Sequence, residues 1–149
     1  MEEPFTVFAW IEIRGKIFKM SLKQDQAVEL KQRTGDAHYN CCQAVACVFS
    51  KETGLDENIL RKLGAGFGLG MGCTEATCGA LCGAEMVLGL MKYQGKPIRQ
   101  NAADLFKKFN ELCGATICKE IKGASNGGKI LCSCDDCVRN AVEILESTL

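Results

Sequence analysis

Apolar residues crowd the first twenty positions of the chain and then recur at helical spacing. Residues 5–20, FTVFAWIEIRGKIFKM, are rich in aromatic and β-branched side chains with Gly15 central. That predicts two short strands, or one strand with a turn near Arg14-Gly15-Lys16. From Ser21 the pattern turns helical. An amphipathic helix is expected over 22–33, ending near Gly35. A second is expected after Asn40 as cap and through Ser50, with Ala44, Val45 and Val48 inward. A third is expected over about 56–64, following Gly54 and Asp56.

Then comes 64-GAGFGLGMG-72, with glycine at every second position, a chain able to adopt positive φ and to pass close to other backbone. Further helices are expected over about 75–92, stopped by Gly95 and Pro97, and over about 98–112, with Ala102, Leu105, Phe106 and Phe109 on one face. A short helical turn near 118–122, a loop 123-GASNGGK-129 and a last helix from Asp135 to Ser147, with Val138, Ala141, Val142 and Leu145 inward, complete the pattern. The fold expected is all-α: a single-domain helical bundle over 20–149, with residues 1–19 as a short extended or β-hairpin-like addition.

Composition narrows the function. A chain of 149 residues fits one domain and can bury about two thirds of its unfolded surface without a metal or disulfide staple. The 18 basic and 18 acidic residues cancel and are spread without long runs, so there is no footprint for nucleic acid. The N-terminus has no charged region leading into an apolar one, so no secretory signal is expected. The longest weakly polar run, Thr77 to Met91, is too short to span a bilayer and contains Glu85. A cytoplasmic protein with reduced thiols is expected, with no membrane partner. In that setting eleven cysteines point to metal, an iron–sulfur centre or redox chemistry rather than to structural bridges. His38 is the only histidine, which removes histidine-rich zinc sites.

Two motifs fail. The loop 123-GASNGGKI-130 nearly matches a phosphate-binding loop, but Ile130 stands where the metal-binding hydroxyl belongs and no βαβ context surrounds it. The glycines of 64–72 do not fit a dinucleotide fingerprint. The cysteine spacings match neither ferredoxin runs nor zinc knuckles. The one C-x-x-C, 134-CDDC-137, opens a helix, where exposed backbone N–H groups would stabilise a thiolate on Cys134. A cysteine inside a helix is often only a small buried residue, and Cys47, Cys82 and Cys113 are read so. At the helix starts Cys41, Cys78 and Cys134, a functional role is favoured.

The stretches 40-NCCQAV-45, 66-GFGLGMG-72 and 78-CGALCGAEMVLGL-90, continued by 109-FNELCGATICKEIKG-123 and 134-CDDCVRNAVEILE-146, together resemble a family of small bacterial proteins. It is named for its C-GCAxxG-C-C pattern and described as redox-active. The central signature C-G-A-x-x-G is matched by 78-CGALCG-83, and the resemblance covers about Ala27 to Leu149. It implies that the characteristic cysteines are Cys41, Cys78, Cys118 and Cys134, as catalytic residues and as ligands of any cofactor. The other seven are extras, among them Cys73 as a spare ligand or resolving thiol and Cys137. Gly79 and Gly83 would let neighbouring backbone approach Cys78.

The chemistry has three forms at this stage. Pairs of the four cysteines cycle between dithiol and disulfide. Alternatively, all four converge on an iron–sulfur centre of the 2Fe–2S type. In the third form, the chain is a non-catalytic binding module with a structural four-cysteine zinc site. The partner expected is a redox protein of unidentified kind, and pairing of two copies as a homodimer is left open.

Overall fold

The computed structural model describes residues 22–149 and, in the N-terminal segment, the backbone of two strands, β1 (Ala9–Ile13) and β2 (Lys16–Met20). These pair antiparallel, with Ala9 opposite Met20 and Ile13 opposite Lys16. Residues 1–8, 14–15 and 21 lie outside the described residues, and with them most of the turn expected near Arg14 to Lys16.

The rest is helix and turn, as the apolar spacing predicts. The helices are α1 (Leu22–Gln32), α2 (Cys41–Cys47), α3 (Ser50–Thr53), α4 (Glu57–Gly64), α5 (Gly68–Met71), α6 (Gly79–Lys92), α7 (Arg99–Cys113), α8 (Cys118–Ile121) and α9 (Cys134–Thr148). Among the described residues no helix is long and apolar enough to cross a membrane.

The core is a three-sided contact of α2, α6 and α9, closed by α1, α4 and α7. Val138, Ala141, Val142 and Leu145 of α9 are all buried, as is the Leu81–Val87–Leu88 face of α6. Two ion pairs fasten α1 to α9: Lys31 to Asp135 at 3.0 Å and Arg139 to Asp25 at 2.7 Å.

Two helix boundaries and one expected buried side chain depart from the pattern. The helix expected through Ser50 ends at Cys47, and a turn at Val48-Phe49 precedes α3; Phe49 there is fully buried. The helix expected from 75 starts at Gly79, because Thr77 is held extended by an antiparallel bridge to Ile117. Phe106, expected inward, is 45% exposed, and α7 buries Leu105, Phe109 and Cys113 instead. In the glycine run, Leu69, Gly70 and Met71 form one turn of left-handed helix, with φ of 54°, 58° and 59°. Left-handed backbone costs a non-glycine residue about 1–2 kcal/mol, so Leu69 and Met71 are strained.

Candidate functional site

Four helix starts meet around one cavity. Cys41 is the first residue of α2, Cys78 the N-cap of α6, Cys118 the first residue of α8 and Cys134 the first of α9. Together with Cys137 they line a cavity of about 50 Å³, closed by Leu69, Gly70, Gly79, Ile121 and Lys122.

Local sequence explains how each thiol arrives. At α2, Asn40 forms a reciprocal cap: its side chain accepts from the Gln43 N–H at 2.9 Å, and the Gln43 side chain accepts from the Asn40 N–H at 2.9 Å. Asn40 also donates to the Gly64 carbonyl at 3.0 Å, which ties the start of α2 to the end of α4. Cys78 and Cys118 are brought side by side by the 77–117 bridge: Cys78 N–H donates to Thr116 O at 2.7 Å and Cys118 N–H donates to Ala76 O at 2.9 Å. The left-handed turn supports this pair from below. A Cβ on Gly70 would stand 2.6 Å from Cys118 Cβ. At Gly79 it would stand 2.8 Å from Phe67 O and 3.3 Å from Cys41 Cβ. Only glycine permits these approaches. At α9, Ser133 caps by accepting from the Asp136 N–H at 3.1 Å.

The thiols differ in proton affinity. The Cys41 S–H donates to the Cys134 sulfur, and this bond, helped by the ammonium charges of Lys122 and Lys31, pulls the Cys134 thiol down to about 5 against the opposing effect of burial. The same bond, with burial and nearby sulfur charge, pushes Cys41 up. Asp135, next in sequence, is engaged by Gln32 and Lys31, which hold its carboxyl below the usual range. Cys78 is lowered by a hydrogen bond from Cys137 and by the Ala80 and Leu81 N–H groups at the start of α6. Burial pushes Cys118 up.

A second sulfur cluster adjoins the first. The Sγ atoms of Cys113, Cys132 and Cys137 all lie within 4.8 Å of one another. Asn140 Nδ2 faces them, 3.4 Å from Cys113 Sγ and 3.9 Å from Cys132 Sγ. Hydrogen bonds from Cys137, Asn140 and Cys132 pull Cys113 down to about 6. Cys137 stands between Cys78 and Cys113 with one proton for the two, which holds its own thiol up.

Cys113, read from its spacing as a small buried residue, is buried and also belongs to this cluster. The signal was long-range: Cys113 ends α7, Cys132 lies in the loop before α9 and Cys137 in its first turn. Only Cys132-x4-Cys137 is visible along the chain.

The remaining candidates stand apart from the cavity wall. Cys73 is exposed and bonds the Gly70 carbonyl at 3.6 Å. Cys82 bonds the Thr77 carbonyl at 3.8 Å, and burial lifts its thiol to about 11. Cys47 is buried against the Glu57 carbonyl and lifted to about 12 by that burial. His38 Nδ1 lies 2.9 Å from Arg33 O on the surface.

Sulfur spacing separates the two clusters chemically. Tetrahedral zinc, with Zn–S near 2.3 Å, places its sulfurs about 3.8 Å apart. Among the described residues, Cys113, Cys132 and Cys137 approach that spacing as a group, and no three of the four cavity cysteines do.

Among curated proteins and among solved structures, nothing matches this chain. A family model described as "Putative redox-active protein (C_GCAxxG_C_C)" matches residues 39–148, a span that holds α2 to α9 and every cysteine of both clusters. The chain belongs to that family.

Proposed function

We propose that this protein is a thiol–disulfide redox protein whose working pair is Cys134 and Cys41, with Cys78 and Cys118 completing the cavity. The observation that carries this is the meeting of Cys41 and Cys134, the first residues of α2 and α9, in the wall of one cavity that Lys122 also lines, where the Cys134 thiol is lowered and the Cys41 thiol raised. It provides a ready thiolate and, beside it, a protonated second thiol.

The Cys134 thiolate attacks one sulfur of an oxidised partner's disulfide. The partner's S–S bond breaks, its second sulfur leaves as a thiolate, and a mixed disulfide forms. Cys41 gives its proton to that leaving thiolate and attacks the Cys134 sulfur. The mixed disulfide breaks and the partner's other sulfur leaves, taking a proton from solvent. Two electrons and two protons pass to the partner, and Cys41–Cys134 becomes the disulfide. The reverse sequence oxidises a reduced partner.

A second reading rests on the convergence of four thiols from four helix starts. Cys41, Cys78, Cys118 and Cys134 are the donor set of an iron–sulfur centre, which would supply one-electron chemistry when bound. The wider sulfur spacing in this cavity argues against a structural zinc ion there.

One sample tests these readings: anaerobically purified full-length protein, with iron, zinc and free-thiol counts, then oxidation and mass-spectrometric mapping. The expected result is loss of two thiols as a Cys41–Cys134 disulfide. A stoichiometric iron count with a brown visible spectrum would replace the dithiol reading by the cluster. Oxidation that leaves both Cys41 and Cys134 alkylatable would overturn it.

A further inference from the structure

The three-sulfur cluster beside the cavity has a different chemistry from the cavity itself. We propose that Cys113, Cys132 and Cys137 form a second binding site, sharing Cys137 with the cavity wall, for a soft monovalent cation of the Cu(I) class, held by three sulfurs in trigonal geometry.

A metal–thiolate bond of about 2.3 Å in a planar three-coordinate site sets its sulfurs about 4.0 Å apart. The three Sγ atoms already lie within 4.8 Å of one another, so closure needs displacements below an ångström. The backbone brings them there without help from an ion. α7 ends at Cys113 with Gly114 in left-handed conformation, φ 84°. The loop before α9 lies over that end, where a Cβ on Gly114 would stand 3.5 Å from Leu131 Cδ1, and Leu131 N–H donates to Ile121 O of α8 at 2.8 Å; this delivers Cys132. Cys137 arrives on the buried face of α9.

Ligand type then selects the ion. The group contains sulfur and no carboxylate or imidazole. Hard cations such as magnesium and calcium require oxygen, and structural zinc requires a fourth ligand. Asn140 presents an N–H donor to two of the sulfurs, which orients and stabilises thiolates and adds no ligand. Three thiolate sulfurs, with no fourth ligand atom among the described residues within 4.8 Å of all of them, suit Cu(I). Each thiol that ligates releases its proton to solvent, so binding needs no oxidant or reductant beyond copper supplied as Cu(I). The site stands on residues other than the Cys41–Cys134 pair and does not depend on their chemistry.

The test is anaerobic titration of the reduced full-length chain with Cu(I) against a chromophoric Cu(I) chelator, bathocuproine disulfonate, with circular dichroism to confirm folding. The first equivalent is expected to bind to three sulfurs, counted by copper X-ray absorption. Cys132→Ser, a change in a half-buried loop, weakens it by about 100-fold or more, and Asn140→Leu, which removes only the orienting donor, by about 10-fold. Cys118→Ser, in the cavity and outside the trio, holds it as the wild type does. Undiminished affinity in Cys132→Ser, a count of two or four sulfurs, or a loss confined to Cys118→Ser would each overturn the assignment. The sulfur count on the wild type decides the matter even where a variant fails to fold. A failed Cys41–Cys134 disulfide leaves all these outcomes unchanged.

Discussion

Gly83 of α6 and Cys42 of α2 lie so close that a Cβ on Gly83 would stand 2.6 Å from the Cys42 carbonyl oxygen and 3.2 Å from Val45 Cβ. The obstructing atoms are backbone and a branched core side chain, neither of which can swing away. The contact fixes the crossing of the two helices whose first turns carry Cys41 and Cys78. Gly83→Ala is therefore expected to cost about 1–3 kcal/mol as overpacking. For a chain of this size that lowers the melting temperature by roughly 2–4 °C per kcal/mol. Thermal unfolding followed by circular dichroism measures it; an unchanged melting temperature would show that α2 can slide on α6.

The Cys134 thiol is held at about 5 chiefly by the hydrogen bond from Cys41. As pH rises through that value Cys134 becomes thiolate, so its alkylation by iodoacetamide should already be near its plateau at neutral pH. Its folded pKa is depressed, so the thiolate stabilises the fold above the ordinary thiol range and that contribution is lost as pH falls toward about 5. Cys41→Ala removes the donor and moves the alkylation midpoint upward. Site-resolved mass spectrometry across pH reads both proteins, and a midpoint that stays in place in Cys41→Ala contradicts the assigned bond.

Lys122 is the larger of the two charge contributions to Cys134. Lys122→Gln should also raise the alkylation midpoint, by less than Cys41→Ala does, because an exposed charge at the cavity wall is screened by solvent. Added salt should blunt the difference between wild type and Lys122→Gln and leave the effect of Cys41→Ala largely intact. Equal salt sensitivity in both variants would show that the Cys41 contribution is electrostatic at a distance rather than a hydrogen bond.

Where these groups sit was only partly readable along the chain. The long helices α7 and α9 follow apolar spacing, and Asn40 announced its cap. The helix start at Cys41 was legible because Asn40 precedes it, and the start at Cys134 was expected one residue later, at Asp135, its Ser133 cap going unread. What stayed hidden depends on contacts far apart in sequence. Thr77 pairs with Ile117, and that pairing delays α6 to Gly79. Phe106 falls at the edge of its helix face, where tertiary packing rather than spacing decides burial. Cys113 meets Cys132 and Cys137 only after α7, the following loop and α9 fold together, so its spacing resembled that of any core residue.

The left-handed turn gives paired substitutions of opposite sign. Gly70 has φ of 58° and its Cβ would strike Cys118 Cβ at 2.6 Å, so Gly70→Ala both strains the backbone and displaces a cavity thiol. A loss of about 2 kcal/mol or more is expected. Leu69 holds φ of 54° against its own Cβ and is half exposed. Leu69→Gly relieves that strain, offset by the extra freedom of glycine in the unfolded chain, and should stabilise by about 0.5–1 kcal/mol. Melting curves of the two variants should shift in opposite directions, and a shift downward in both would mean that Leu69 contributes more as the cavity's apolar wall than it costs as strain.

Asn40 acts at the junction of fold and site. It caps α2 through Gln43, holds the α4 end through Gly64, and lies against Gly68, whose Cβ would stand 2.6 Å from Asn40 Cβ. Asn40→Ala removes the cap and leaves the Gly64 carbonyl without that donor, for a loss of about 1–2 kcal/mol. Because Cys41 is the next residue, loosening the first turn of α2 should also weaken the Cys41–Cys134 bond. The midpoint for Cys134 alkylation then rises together with the fall in melting temperature. Asn40→Asp retains the acceptor for Gln43 and loses the donor to Gly64, so it should recover the cap and only part of the stability. A melting temperature that falls in Asn40→Ala with no movement of the Cys134 midpoint would separate the cap from the thiol pair and show that Cys41 is positioned by its packing against Gly79 alone.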